Sequence, residues 1–246
     1  KVIVIKVGSN ILVNEKHVLR KKWLTSLIED VQKLQKKGSK IIIVSSGAIA
    51  LGRNILSKKK LTNLHEKQAA ASIGQIQLSQ QWQKAFAKFN IQSSQILITA
   101  EDLNERRKYL NIRNTIYSLM DLNVVPIINE NDTTSTEEIR FGDNDKLSAM
   151  IANALSAELL ILLSDVNGLY TANPKKSTDA KLITSVEEVD QEIEKYIDKD
   201  LSEFGSGGML AKVNAAKLCI QSGSTMIISN GLVNNPLGNI HPTSST

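Results

Sequence analysis

The sequence predicts an α/β protein, a three-layer αβα sandwich around a mostly parallel sheet. Short apolar runs recur along the chain, among them VIVIKV, KIIIV, VVPII and LLILL, and they are nearly continuous rather than alternating. Such runs suit strands buried on both faces. Segments with helical spacing separate them, and alternation of strand and helix closes into parallel sheets. With 246 residues, 41% hydrophobic content and 22% charge, the chain can build a real core, and global disorder is excluded as a class.

Residues 2–8 read as a first strand ending in Gly8. Leu19, Trp23, Leu27, Val31 and Leu34 then recur every three or four positions, an amphipathic helix stopped by Gly38. KIIIVSSGAIA is a second buried strand running into Ser45, Ser46 and Gly47. Residues from about 65 to 89 read as helix, QILIT as a third strand, and residues near 105–122 as a helix before VVPII. A helix near 145–156 precedes LLILLS, SVEEVDQEIEKYI holds a short helix, and residues 209–222 form a last long helix before TMIIS. Functional loops are expected at the C-terminal ends of the strands. A soft boundary near 157–164 divides one domain, 1–246, into lobes of about 1–157 and about 158–246.

Composition narrows the function. Aromatic residues make up 4% of the chain, which leaves few stacking platforms for single-stranded nucleic acid. The one cysteine, Cys219, excludes an intramolecular disulfide framework and fits a reducing compartment; it reads as a small buried hydrophobe in a helix. No apolar stretch approaches the roughly 20 residues that span a bilayer, and no secretory signal is visible, although the chain begins at Lys1. The expected location is cytoplasmic. The net charge of +5 includes basic clusters at residues 20–22, 58–60, 106–108 and 175–176, scattered between elements rather than along one helix face. They read chiefly as solvated surface, with a nucleic-acid patch or attraction of anionic substrates such as nucleotides as the lesser readings.

The most informative segment is 129–155, which carries Glu130, Asp132, Glu137, Glu138, Asp143 and Asp145 and neither Cys nor His. That inventory excludes a zinc site of Cys/His type. An acidic loop between buried strands reads as substrate-binding and catalytic. Lys6 inside VIVIKV is costly to bury without a partner; it reads either as an edge-strand lysine reaching solvent or as part of a site with Gly8 and Ser9, whose backbone N–H groups could face an anion. Residues 47–54 approach a P-loop spacing, but Arg53 and Asn54 replace its Lys-Ser/Thr, so that assignment fails. Ser45, Ser46 and Gly47 remain a possible anion cradle at a helix start. Residues 205–212, GSGGMLAK, lack the dinucleotide fingerprint; they suit either the phosphates of a nucleotide, met by Ser206, Gly207, Gly208, Met209 and Lys212, or a flexible hinge. Ser164 and Asp165 open a turn-rich loop that could hold adenine or ribose, or could be only a loop. His17, His65 and His241 share no metal-ligand spacing and read as solvated or capping residues.

Taken in order, IVIKVGSNIL, IIIVSSGAIALG, INENDTTSTEEIRFGDNDKLSA, LLSDVNGLYTANP and GSGGMLAK resemble the amino acid kinase family. They lie closest to its glutamate-phosphorylating branch, over essentially the whole chain. The resemblance implies ATP with Mg2+ as cofactor and transfer of phosphate to the side-chain carboxylate of L-glutamate, the entry to proline synthesis. It implies Lys6 and Lys212 as the catalytic cations and Asp145 as the group holding them. Ser46, Gly47, Asp132 and Asn144 would bind the amino acid. Gly8, Ser164, Asp165, Ser206, Gly207, Gly208, Met209 and Lys212 would bind the nucleotide, with no protein-held metal. It also implies a homo-oligomer and proline as feedback inhibitor. The C-terminal PUA domain of many family members has no counterpart in these 246 residues.

The residue inventory agrees with that chemistry. A side-chain carboxylate with a pKa near 4.3 is already ionised at pH 7, so no general base is required and a catalytic histidine is dispensable. Alignment and charge neutralisation around a loose phosphoryl transition state are required instead. The rival readings are a kinase of another small acid, of N-acetylglutamate or carbamate type, and a non-catalytic amino-acid sensor or RNA-binding protein on the same scaffold. Both lysines together with Asp145 weigh against a sensor, which needs no pair of phosphate cations.

Overall fold

The protein, seen here as a computed structural model, is described over residues 1–57, 60–135, 143–172, 177–191, 193–194, 196, 208–238 and 240. Strands β1 (Val2–Val7), β2 (Lys40–Ser45), β3 (Ser93–Ile98), β4 (Val125–Glu130), β5 (Leu159–Ser164) and β8 (Thr225–Asn230) form one sheet in the order β3-β4-β2-β1-β5-β8. Every pairing in it is parallel, as continuous apolar strands require. Two short antiparallel strands, β6 (Leu169–Tyr170) and β7 (Leu182–Ile183), pair apart from it.

The period of two in a strand sorts side chains between two cores. Ile3, Ile5 and Val7 of β1, Ile41 and Ile43 of β2, and Ile161 and Leu163 of β5 share one core. That core also takes in the apolar faces of α1 (Ser9–Leu12), α2 (Lys21–Lys36), α3 (Ala48–Ile55) and α4 (Leu64–Ala87). Val4, Ile42, Val44, Leu160 and Leu162 face the other way. They meet α5 (Ala100–Asn104), α6 (Arg106–Asp121), α7 (Asp143–Ala154) and α8 (Gly208–Ser222). The three layers anticipated from the sequence are therefore present.

Boundaries agree closely for the long elements. The helix expected from Leu19 begins at Lys21, because Leu19 is held instead in a bridge with Val13. KIIIVSSGAIA splits: the strand stops at Ser45, and Ala48 opens α3. The break falls at Gly47, whose φ of +109° is a left-handed conformation that glycine adopts without a Cβ penalty. Of the short helix expected in SVEEVDQEIEKYI, the described residues Gln191, Ile193, Glu194 and Tyr196 are helical. Among the described residues no helix is long and apolar enough to cross a membrane.

The chain lays β2, β4 and β3 to one side of β1, then crosses to add β5 and β8 on the other. The C-terminal ends of β1 and β5 thus lie at a topological switch point, where open parallel sheets leave a crevice for ligands.

Candidate active site

A cleft of about 820 Å³ opens at that edge, lined among others by Lys6, Gly8, Ser46, Gly47, Asp132, Asn144, Ser164, Asp165 and Lys212. Its volume falls within the range of about 300–1,000 Å³ usual for small-molecule sites. Four strand ends supply the walls. Gly8 follows β1, Ser46 and Gly47 follow β2, Asn129 and Glu130 close β4, and Ser164 and Asp165 end β5.

Lys6 is not an edge-strand lysine. It pairs with Val44 on one side and Leu162 on the other, so β1 is central. Its even position in the strand directs it, with Val4, to the face covered by α7 and α8. There it is 8% exposed and forms an ion pair with Asp145 Oδ1. Lys212, 7% exposed in the early part of α8, reaches the other oxygen, with Nζ 3.1 Å from Asp145 Oδ2. The Asp145 carboxylate is 1% exposed and bridges the two ammonium groups. Such an arrangement is expensive to desolvate. Burial is the main influence on Lys6 and holds its pKa below the ordinary lysine value; Asp145 opposes that shift and Lys212 adds to it. Two cations share one anion, so this buried group has a positive charge in excess, which an anionic ligand can match.

Asp145 lies in the first turn of α7, where a carboxylate is favoured by the helix dipole. Ser148 Oγ donates to the Asp145 carbonyl at 2.7 Å, within that turn. Beside it, Asn144 Nδ2 donates to Ser46 Oγ at 2.8 Å, to Asn129 Oδ1 at 3.2 Å and to the Ser45 carbonyl at 3.3 Å. The expected amino-acid residues Ser46, Gly47, Asp132 and Asn144 therefore line the same cleft as the lysines.

The expected nucleotide residues are gathered less completely. Gly8 caps α1, and Ser164 and Asp165 stand at the cleft wall, where Ser164 Oγ donates to Asp165 Oδ1 at 3.4 Å. Gly208 and Met209 open α8, and Lys212 Nζ also donates to the Gly208 carbonyl at 3.4 Å. Ser206 and Gly207 lie outside the described residues, as do Glu137 and Glu138 of the acidic segment. Sequence reasoning passed over Asn129 and Glu130 as individual site residues, and over Asn10, Arg53, Lys67 and His17, all of which line the cleft. Only the position of Asn129 and Glu130 at the end of a buried strand could have marked them.

Cys219 is fully buried and free, and burial pushes its thiol up to about 11. It is a packing residue, as its helical context suggested.

Comparison with protein families gives a match of the amino acid kinase family to residues 1–230. The chain belongs to the amino acid kinase family. The chain is 50% identical over 241 residues to a glutamate 5-kinase of Pelagibacter ubique, covering 98% of this chain and 66% of that protein. It is 47% identical over 236 residues to a glutamate 5-kinase of Agrobacterium fabrum, covering 96% of this chain and 61% of that one. The chain thus spans about three fifths to two thirds of the length of these relatives. Among solved structures, a Giardia carbamate kinase superposes with a TM-score of 0.66 at 18% identity, over 97% of this chain and 96% of that one. An isopentenyl phosphate kinase of T. acidophilum gives 0.66 at 15%, over 99% and 97%. At those identities the likeness concerns the amino acid kinase fold alone.

Proposed function

We propose that this amino acid kinase transfers the γ-phosphoryl group of ATP to the side-chain carboxylate of L-glutamate, forming L-glutamyl 5-phosphate, the first step of proline biosynthesis. One observation carries the reading: a buried carboxylate, Asp145, bridges two cations, Lys6 and Lys212, next to a cluster of neutral donors and acceptors at Asn144 and Ser46. Charge moves onto oxygens as a phosphoryl group leaves, and preorganised cations are most effective against that developing charge. The glutamate carboxylate is its own nucleophile and needs no base. Asp132, on the cleft wall, would pair the α-ammonium group.

ATP would lie toward Gly8, Ser164, Asp165 and the start of α8, whose N-terminal N–H groups suit phosphate. Among the described residues no group of three or more His, Cys, Asp or Glu side chains is positioned to hold a metal ion. In this reading Mg2+ would arrive with the nucleotide's phosphates and supply charge neutralisation there. The same reading carries a homo-oligomer and inhibition by proline, checked by sedimentation and by a proline titration of the activity.

The deciding assay measures ADP release with glutamate, aspartate, N-acetylglutamate and carbamate in parallel, trapping the acyl phosphate with hydroxylamine. Glutamate should be strongly preferred. Acylation removes the charge that Asp132 would meet and leaves that half-buried carboxylate without its partner, costing about 1–3 kcal/mol. Equal turnover of N-acetylglutamate would sink the assignment.

A further inference from the structure

A chain of side-chain amides runs from the outer surface of α4 and β3 into the cleft. Asn144 Nδ2 donates to the Ser45 carbonyl, an acceptor whose identity is fixed, so the Asn144 amide has one orientation. Asn129 Oδ1 accepts from the Glu130 backbone N–H at 2.9 Å and from Asn144 Nδ2 at 3.2 Å. Its own Nδ2 must then find an acceptor, and it finds Gln75 Oε1 at 2.8 Å. Gln75 Nε2 in turn donates to Gln95 Oε1 at 3.0 Å and to Ser79 Oγ at 3.2 Å, and the Ser79 hydroxyl donates to Gln95 Oε1. Each amide is thus locked by the next. Asn129 is 3% exposed, so its Nδ2 has no ready substitute in water. Asn144 Oδ1 is buried and has no hydrogen-bond partner among the described residues, an acceptor whose direction this chain fixes.

We infer that Gln75 is a positioning residue for the acceptor amino acid. It touches no substrate; it holds the Asn129 amide, which holds Asn144 and, through it, the Ser46 hydroxyl. Gln75 is half-buried on α4, more than fifty positions before the acidic segment, and no motif marks it. Its contribution differs from packing, because what matters is an oxygen at one point rather than volume. The inference rests on the reading above, in which the acceptor binds at Asn144 and Ser46.

The test compares steady-state kinetics of the whole chain and its variants with glutamate and ATP. Gln75→Leu, which leaves the buried amide unpaired, should raise the glutamate KM about ten- to thirtyfold. The ATP KM and kcat should stay within about threefold. Gln75→Glu keeps an oxygen for Asn129 Nδ2 and should recover most of the loss. In an Asn144→Ala background, Gln75→Leu should change the glutamate KM less than about twofold, since coupled residues are not additive. Should Gln75→Leu fail to fold, Gln75→Met is measured in its place. An unmoved glutamate KM, equal changes in both backgrounds, or no recovery with Gln75→Glu overturns the inference while leaving the kinase reading intact. A wild-type protein that does not phosphorylate glutamate overturns both.

Discussion

At the scale of single residues, the arrangement of Lys6, Asp145 and Lys212 decides what this cleft can do. Each cation is buried, so its charge acts at low dielectric and its loss should be felt mainly in the transition state. Lys6→Met and Lys212→Met should each lower kcat by roughly 10²–10⁴, with smaller effects on KM. Lys6→Arg should also be poor, because a planar fork does not replace a compact ammonium at a strand end. Asp145→Asn should resemble the lysine losses, and Lys6→Met with Asp145→Asn should fall no more than about tenfold below the poorer single variant. Full activity of either lysine variant with an unchanged circular dichroism spectrum would contradict the proposed mechanism. Lys6 also gives a pH dependence. Its pKa is lowered in the folded protein by burial, and the cation is the active form, so activity should fall as pH rises through a value below 10.5, the ordinary lysine value. Over that same window the folded state holds fewer protons than the unfolded chain, so this group's contribution to stability increases with pH. A kcat profile flat to pH 10.5 would contradict the assignment.

At the scale of elements, the helices that carry the cleft walls are fixed by unusually close approaches. A Cβ on Gly52 of α3 would come within 2.6 Å of the Ala70 carbonyl carbon in α4, and one on Gly74 within 2.8 Å of the Ala48 carbonyl carbon. Helix propensity alone makes Gly→Ala favourable by about 1 kcal/mol. The obstruction is backbone, which cannot rotate aside, and overpacking costs about 1–3 kcal/mol or more. The clash should win: Gly52→Ala or Gly74→Ala should be destabilised by about 1–2 kcal/mol, lowering Tm by roughly 2–8 °C in a scan. A raised Tm would show that α3 and α4 can separate freely. Elsewhere the ends of elements are tied by single hydrogen bonds. The Trp82 indole donates to Ser45 Oγ at 2.9 Å where β2 stops, and the Trp23 indole to the Gly231 carbonyl at 2.6 Å where β8 stops. The short α5 has a complete capping box, in which Thr99 and Asp102 satisfy each other's backbone N–H groups.

At the scale of the whole molecule, one six-stranded sheet carries two sets of site residues that are far apart in the chain. Lys6, Ser46, Asp132 and Asp145 form a first set, all before β5 in the chain; Ser164, Asp165 and Lys212 form a second, from the end of β5 onward. If the amino acid occupies the first and ATP the second, Asp132→Ala should raise the glutamate KM far more than the ATP KM, because its partner is present in ground and transition states alike. Movement of the ATP KM alone would put the substrates the other way round. Saturating nucleotide should also protect the fold, by about 2.7 kcal/mol at a hundred times its Kd, read as a rise in Tm.

Much of this was legible in the chain itself, because the signals involved are local. Continuous apolar runs mean two buried faces, so the parallel sheet and its flanking helices follow from VIVIKV, KIIIV, VVPII and LLILLS without any contact being known. Lys6 inside a buried strand, Asp145 in the acidic segment and Lys212 behind a glycine run stood out in the sequence, the family resemblance gave them their roles, and the absence of Cys and His from the acidic segment excluded a zinc site of Cys/His type. Tertiary structure alone decided that Lys6 is central rather than at an edge, since strand order depends on how crossovers pack and not on the strand's own sequence. It alone joined Asp145 to two lysines, one 139 positions before it and one 67 after. It gave Gly52 and Gly74 their purpose, the close contact of α3 with α4, and it tied Gln75 to Asn129 across 54 residues. Those relations are between residues far apart in the chain, and only packing, which brings them within a few ångströms, can set them.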